Sequence, residues 1–316
     1  MGKKNIVIIS ILIASSLFSS SEACNGASED CGVSTYWGQN HEEGSLLAAC
    51  ESGLYEYVNV GFLTTFGCYH NPVINLDDHD ASSLVADIKA CQDKGIKVLL
   101  SIGGAGGNDT ICSPENAKEV ADYLWENYLA PGNAGVLGDA TFDGIDFYVE
   151  ALSNLYWDDL VKALAAYSSA EKKVYLSAAP QCPYPDYYLD AAIKTGCFDY
   201  ISVHFFDNAP CDYSGGIDSL LASWNKWSSS LPEGNKLFLG LPASREDASS
   251  GYIEPEELTT KVLPLIKSSP NYGGVMVFDR LFDVRANYTA KIKPAVCDDG
   301  TALHRRRQKR PFISMV

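Results

Sequence analysis

Short β-branched runs alternate with longer amphipathic stretches along most of this chain, a rhythm that demands repeated βα units. The strand candidates are Val33–Trp37, Tyr57–Phe62, Val98–Ile102, Gly144–Val149, Val174–Ala178, Tyr200–Phe205, Leu237–Leu241 and Gly274–Phe278. Between them, Ser82–Lys94 places Leu84, Ile88 and Cys91 at helical spacing, and Pro114–Tyr128 does the same with Val120, Leu124 and Tyr128. Ser113-Pro114-Glu115 supplies an N-cap with proline at the first helical position. Tyr156–Ser169 and Pro255–Lys267 are the other clear helices. Eight such strands predict a closed parallel barrel, with a doubly wound open sheet as the competing architecture. The 316 residues suit a single (β/α)8 barrel, which typically needs about 250.

Both ends depart from this rhythm. Lys3 and Lys4 precede an apolar run from Ile6 to Phe18, and Ser21-Glu22-Ala23 has small residues where a signal peptidase reads. The run is shorter than the roughly 20 residues of a membrane span. Residues 1–23 are therefore expected to be a signal peptide, with the mature chain starting near Cys24. Residues 24–296 form the expected barrel domain. Residues 297–316, which include Arg305, Arg306, Arg307, Lys309 and Arg310, have no helical or strand period and are expected to be a disordered basic tail.

A secretory route gives the ten cysteines a use as disulfides. It also gives a use to the sequons Asn108-Asp109-Thr110 and Asn287-Tyr288-Thr289, which equally occur by chance. The net charge of −16 disfavours nucleic acid and anionic membrane as partners and fits an extracellular (apoplastic) or vacuolar protein. The five histidines are scattered, and no Cys/His spacing calls for a metal; no cofactor is expected. Gly103–Gly107 lacks the Lys-Ser/Thr ending of a phosphate loop.

The most informative strand runs from Phe142 to Glu150. Asp146, Tyr148 and Glu150 share parity and so face the barrel lumen, at the strand ends where such barrels carry their sites. A carboxylate in a partly apolar mouth can serve as a general acid. The plainer reading, a hydrogen-bonded structural acid, suits Asp146 better and leaves Glu150 open.

This segment resembles the Asp-Gly-x-Asp-x-Asp-x-Glu signature of glycoside hydrolase family 18. The likeness extends over roughly Gly32 to Pro294 to plant class III chitinases of the hevamine type. It includes Tyr36-Trp37-Gly38-Gln39-Asn40, Ser101-Ile102-Gly103-Gly104, Ala178-Ala179-Pro180-Gln181-Cys182-Pro183, Gly240-Leu241-Pro242-Ala243 and Tyr272-Gly273-Gly274-Val275-Met276. The resemblance implies the barrel and a substrate-assisted retaining mechanism on chitin. Glu150 would be the acid, with Tyr36, Gln39, Gly104, Asp146, Tyr148, His204, Phe206 and Phe278 around the sugar. It also implies disulfides Cys50–Cys91 and Cys182–Cys211. A Cys68–Cys112 bridge is possible from loop positions alone, and the remaining cysteines have no assigned partners.

Three departures concern the acetamido group. Tyr148 stands where the family has an Asp that holds the acetamido N–H; Phe206 replaces a Tyr that donates to its carbonyl; Phe278 replaces a Trp beneath the sugar. A phenol is neutral near pH 7 and cannot supply the carboxylate's charge. Loss of one transition-state hydrogen bond typically costs about 10²–10³ in rate. His204 replaces a Gln and faces the lumen, where it could pair with Glu150 or be satisfied by backbone or Asp207.

Other stretches resemble the cereal xylanase-inhibitor proteins on the same scaffold. These include Glu43-Gly44-Ser45-Leu46, Asp80-Ala81-Ser82-Ser83 followed by Asp87-Ile88-Lys89, and Asn271-Tyr272-Gly273-Gly274 followed by Asp279-Arg280. The leading expectation is a monomeric, secreted chitinase-like protein with little or no chitinase activity. It would bind chitin-like or other glycans, or inhibit a microbial xylanase, in plant defence. A weak endochitinase using Glu150 and an acidic storage protein are the alternatives.

Overall fold

The computed structural model describes Cys24 and residues 31–297, apart from residues 69, 78, 133–136 and 151. The signal-peptide segment and the basic tail beyond Cys297 lie outside the described residues. Eight strands form the barrel: β1 Gly32–Trp37, β2 Tyr57–Phe66, β3 Lys97–Gly103, β4 Gly144–Tyr148, β5 Tyr175–Ala178, β6 Tyr200–His204, β7 Lys236–Pro242 and β8 Tyr272–Phe278. Each pairs in parallel with the next, and β1 pairs with both β2 and β8, so the sheet closes on itself. Closure leaves no barrel edge for another chain to extend.

All eight expected strands are present, with ends shifted by up to four residues. Two short strands, Val73–Ile74 and Asn108–Asp109, extend β2 at its upper end. Neither has an alternating apolar pattern, because each is a loop segment held by the strand beside it. The Pro114 helix is α-helical to Leu124 and then widens into a π-helical turn, Trp125–Leu129. The helix Ile217–Ser230, not among the expected ones, buries Leu220, Trp224 and Trp227 on one face. The last helix, Tyr288–Val296, runs through Pro294.

Two cores result. The larger lies between barrel and helices and contains Trp157, Trp224 and Trp227, all fully buried. Burying an indole of this size contributes roughly 4–6 kcal/mol of transfer free energy. Both helix indoles also hydrogen-bond: Trp227 Nε1 donates to the Cys182 carbonyl at 2.9 Å, and Trp224 Nε1 to Ser269 Oγ at 2.9 Å. The smaller core fills the barrel and is layered. Tyr57, Tyr200 and Phe238 pack at the bottom, with the two tyrosine rings stacked 4.7 Å apart. Above them lies a buried polar layer of Ser34, Asn59, Ser101, Asp146, Ser177 and Ser202. Aromatic rings close the top.

The ten cysteines form five pairs: Cys24–Cys197, Cys31–Cys297, Cys50–Cys91, Cys68–Cys112 and Cys182–Cys211. Sequence position alone gave no partners for Cys24, Cys31, Cys197 and Cys297, because the barrel brings them together across 173 and 266 residues.

Behind the mouth, Asp109 is buried and neither carboxylate oxygen is bonded to another residue. Desolvation raises its pKa to about 7. The folded protein therefore binds this proton more tightly than the unfolded chain, whose Asp titrates near 3.9. Its contribution to stability is full below pH 4 and is lost as pH rises through 7, an effect on the order of 3–4 kcal/mol. Asp109→Asn should accordingly melt several degrees above the wild type at pH 8 and converge with it near pH 4, as read from melting temperatures across that range. A constant difference at all pH values would contradict the assignment.

Candidate functional site

The site is built on β4 and the strands beside it. Gly144 must be glycine: a Cβ there would lie 1.9 Å from the Tyr175 carbonyl oxygen on the adjoining strand. From it, alternation carries Asp146 into the polar layer, Tyr148 to the top of the lumen, and Glu150 just past the strand end.

Asp146 is fully buried and accepts three hydroxyl hydrogen bonds. Tyr36 donates at 2.8 Å, Ser101 at 2.7 Å, and Ser177 supplies the third. Burial pushes its pKa up, and the three hydroxyls pull it back. The structural reading of Asp146 therefore suffices. It also engages Tyr36, whose buried hydroxyl points down into the barrel.

Tyr148 occupies the lumen above. Its ring meets Tyr36 edge-on at 5.4 Å and Phe62 at 5.1 Å, with His204 at 5.0 Å and Phe278 at 6.1 Å. The side chain is only 5% exposed, and the Glu150 carboxylate lies close enough to act on its hydroxyl electrostatically. Burial first, and then the Glu150 charge, raises this phenol well above its ordinary pKa. It is a neutral donor at any physiological pH. The cavity left between Tyr36, Phe62 and Phe278 is about 10 Å³, room for one water at most.

Glu150 is the accessible member, with its side chain 24% exposed. Its Oε1 accepts from Gln181 Nε2 at 2.6 Å, and Gln181 Oε1 in turn accepts from Asn208 Nδ2. Gln181 thus uses Glu150 as an acceptor. A group that protonates a leaving oxygen must instead carry a proton on one of the carboxylate oxygens. Gln181 lay inside a quoted motif and Asn208 beside Phe206, yet no spacing signalled that they would form a relay to the acid.

His204 is completely buried, with Nδ1 3.8 Å from Glu150 Oε1 and neither ring nitrogen hydrogen-bonded. At that spacing the imidazole lies beside the carboxylate without a hydrogen bond. Backbone and Asp207 do not satisfy the imidazole either, since Asp207 is engaged with the Ser249 N–H and hydroxyl at 2.6 and 2.5 Å. What holds the ring is stacking on Phe206 at 4.7 Å. Phe206 stacks in turn on Phe278 at 5.7 Å, so the two replaced positions form one apolar wall.

The two loop residues serve the scaffold. Gln39 Nε2 donates to the carbonyls of Gly61 at 2.8 Å and Asn75 at 3.2 Å, tying the loop after β1 to β2 and the segment beyond it. Gly104, at φ +89°, is buried where a Cβ would strike the Phe62 ring, and its N–H donates to the Tyr148 carbonyl at 2.8 Å. It braces Tyr148 from behind.

The rim is acidic. Burial raises Asp247 to about 8, with Asp279 and Asp207 adding repulsion, and burial likewise raises Asp279. Glu43, also raised by burial, accepts from the Gly38 N–H at 2.8 Å and lies 3.0 Å from His79 Nε2, whose ring packs on Trp37. No group of three or more potential His, Cys, Asp or Glu metal ligands occurs among the described residues.

Comparison with known proteins places this arrangement. The model of the glycosyl hydrolases family 18 matches residues 33–252. An acidic endochitinase of Beta vulgaris is 46% identical over 297 residues, spanning 92% of this chain and 99% of its own. A chitinase from Ipomoea carnea superposes with a TM-score of 0.80 at 44% identity, covering 84% of this chain and all of its own. A xylanase–α-amylase inhibitor protein, solved with trehalose, also superposes at 0.80 with 39% identity, covering 84% of this chain and 99% of its own. The (β/α)8 barrel, the signature strand ending in Glu150 and these likenesses converge: the chain belongs to glycosyl hydrolase family 18, in the plant class III, acidic endochitinase type.

Proposed function

We propose that this chain is a secreted, chitinase-like defence protein that has lost most or all chitin hydrolysis and acts by binding a glycan or inhibiting a microbial xylanase. The observation that carries this is the placement of Tyr148. Its buried ring fills lumen space above Asp146, packed against Tyr36 and Phe62, where the substrate's acetamido group would have to enter. Substrate-assisted hydrolysis needs a negative group on the acetamido N–H, and a neutral phenol cannot supply it. Phe206 and Phe278 extend the apolar wall where the resemblance implied a hydroxyl donor and an indole. Likeness to the xylanase–α-amylase inhibitor protein supports the inhibitory partner. Likeness to acidic endochitinases, together with five disulfides, supports delivery to the apoplast or vacuole. Residual endochitinase activity is the second reading, favoured by the exposure of Glu150 at the mouth.

With purified protein and chitin oligosaccharides, wild-type turnover should stay near the blank. The triple variant Tyr148→Asp, Phe206→Tyr, Phe278→Trp should raise it by 10²-fold or more. High wild-type turnover that disappears in Glu150→Gln would establish the endochitinase instead. Tyr148→Phe separates the hydroxyl from the ring, since it removes the phenol oxygen beside Glu150 but still blocks the lumen. Its hydrolysis should remain at the wild-type level, and a large gain would show that the hydroxyl alone silences the acid. Inhibition of a purified xylanase should survive Glu150→Gln, because binding does not require the acid's proton.

A further inference from the structure

The loop after β3 carries a feature that neither the acid nor the aromatic wall uses. Asn108 heads the sequon Asn108-Asp109-Thr110 and lies on the short strand beside β2, where Thr65 pairs with Asn108 and Phe66 with Asp109. Alternation turns Asp109 into the interior and Asn108 out to solvent, so the buried residue fixes the exposed one. Among the described residues, the Asn108 carboxamide hydrogen-bonds His70 Nδ1 through Nδ2 at 3.1 Å and is tied to no backbone group. Its side chain is exposed.

Beside it lies a groove of about 190 Å³, comparable with one sugar ring, bordered by His70, Pro72, Asn116, Glu119 and Tyr123. Its lining suits an amphipathic sugar, with an aromatic ring and proline for the apolar face and an amide and carboxylate for hydroxyls. Its walls are fixed. Cys68 and Cys112 are bridged across it, and Asn116 Oδ1 accepts from both of their backbone N–H groups, at 3.0 and 3.3 Å. The second sequon is different. Asn287 joins two helices in the left-handed conformation, and Tyr288 and Thr289 are fully buried in the helix that follows. Thr289 donates its N–H to Asp283 at 2.7 Å.

We infer that Asn108 carries an N-linked glycan, whose first N-acetylglucosamine seats in the groove beside His70 and Tyr123. In the transfer, Asn108 Nδ2 bonds to C1 of the sugar at the reducing end of a lipid-pyrophosphate-linked oligosaccharide. The C1–O bond to the pyrophosphate breaks, the lipid pyrophosphate departs, and Nδ2 gives up one proton. One N–H remains and can go on donating to His70. The inference rests on the secretory route proposed above, where five disulfides and oligosaccharyl transfer belong to the same compartment.

The test is secretion of the full chain from a plant or insect cell host, followed by intact mass and peptide mapping before and after enzymatic deglycosylation. The expected result is a deglycosylation-sensitive mass increment mapped to Asn108. It should be lost in both Asn108→Gln and Thr110→Ala and kept in Thr110→Ser, which preserves the hydroxyl the transferase requires. A secreted, disulfide-paired protein with Asn108 unmodified, or with Asn287 modified in its place, would overturn the inference while leaving the route intact. A chain retained in the cell with residues 1–23 uncleaved would overturn the route, and the inference with it.

Discussion

A buried carboxylate holds the centre of this barrel. Asp146 sits where no water reaches, and Tyr36, Ser101 and Ser177, from three other strands, give it their hydroxyls. Hydrogen bonds to a charged group contribute about 1.5–3 kcal/mol each, and removing one partner of a buried set costs more than that. The arrangement ties β1, β3, β4 and β5 together at one height. It also orients the Tyr36 ring, against which the aromatic top of the lumen packs. The polar layer thus sets the level from which every group at the mouth is positioned.

On that level the chemistry of the mouth has changed character. Rings of Tyr36, Phe62, Tyr148, Phe206 and Phe278 share edges and faces, with the His204 imidazole stacked among them. A buried imidazole without a hydrogen bond is costly by ordinary standards. Here, stacking and a carboxylate 3.8 Å away are what the structure offers it. Glu150 accepts from the Gln181 amide, itself held by Asn208, and lies beside the buried Tyr148 phenol. These contacts fix a carboxylate as an acceptor, which suits recognition better than proton delivery.

Much of this was legible in advance, for identifiable reasons. Short β-branched runs between amphipathic stretches marked all eight barrel strands, and β4's parity put Asp146, Tyr148 and Glu150 on one side. The two short strands carried no such pattern, because only the neighbouring β2 makes them strands. Gln39 and Gly104 were expected beside a sugar, and their carbonyl and ring contacts, which depend on loops distant in sequence, also brace β2 and Tyr148. Gln181 and Asn208 were invisible as a relay, since 27 residues separate them and no local period links them.

The sequence by itself determined the eight strands and the inward row on β4, which follow from alternation and residue type and are local properties. The reading of Tyr148, Phe206 and Phe278 as departures at acetamido-handling positions came from the family resemblance. The tertiary structure decided which groups touch. It settled that Tyr148 fills the lumen beside Glu150, that His204 stacks without bonding, and that Cys24 and Cys31 meet Cys197 and Cys297. Such contacts arise only when a closed sheet brings separate strand ends onto one small ring, and no one-dimensional pattern encodes that distance.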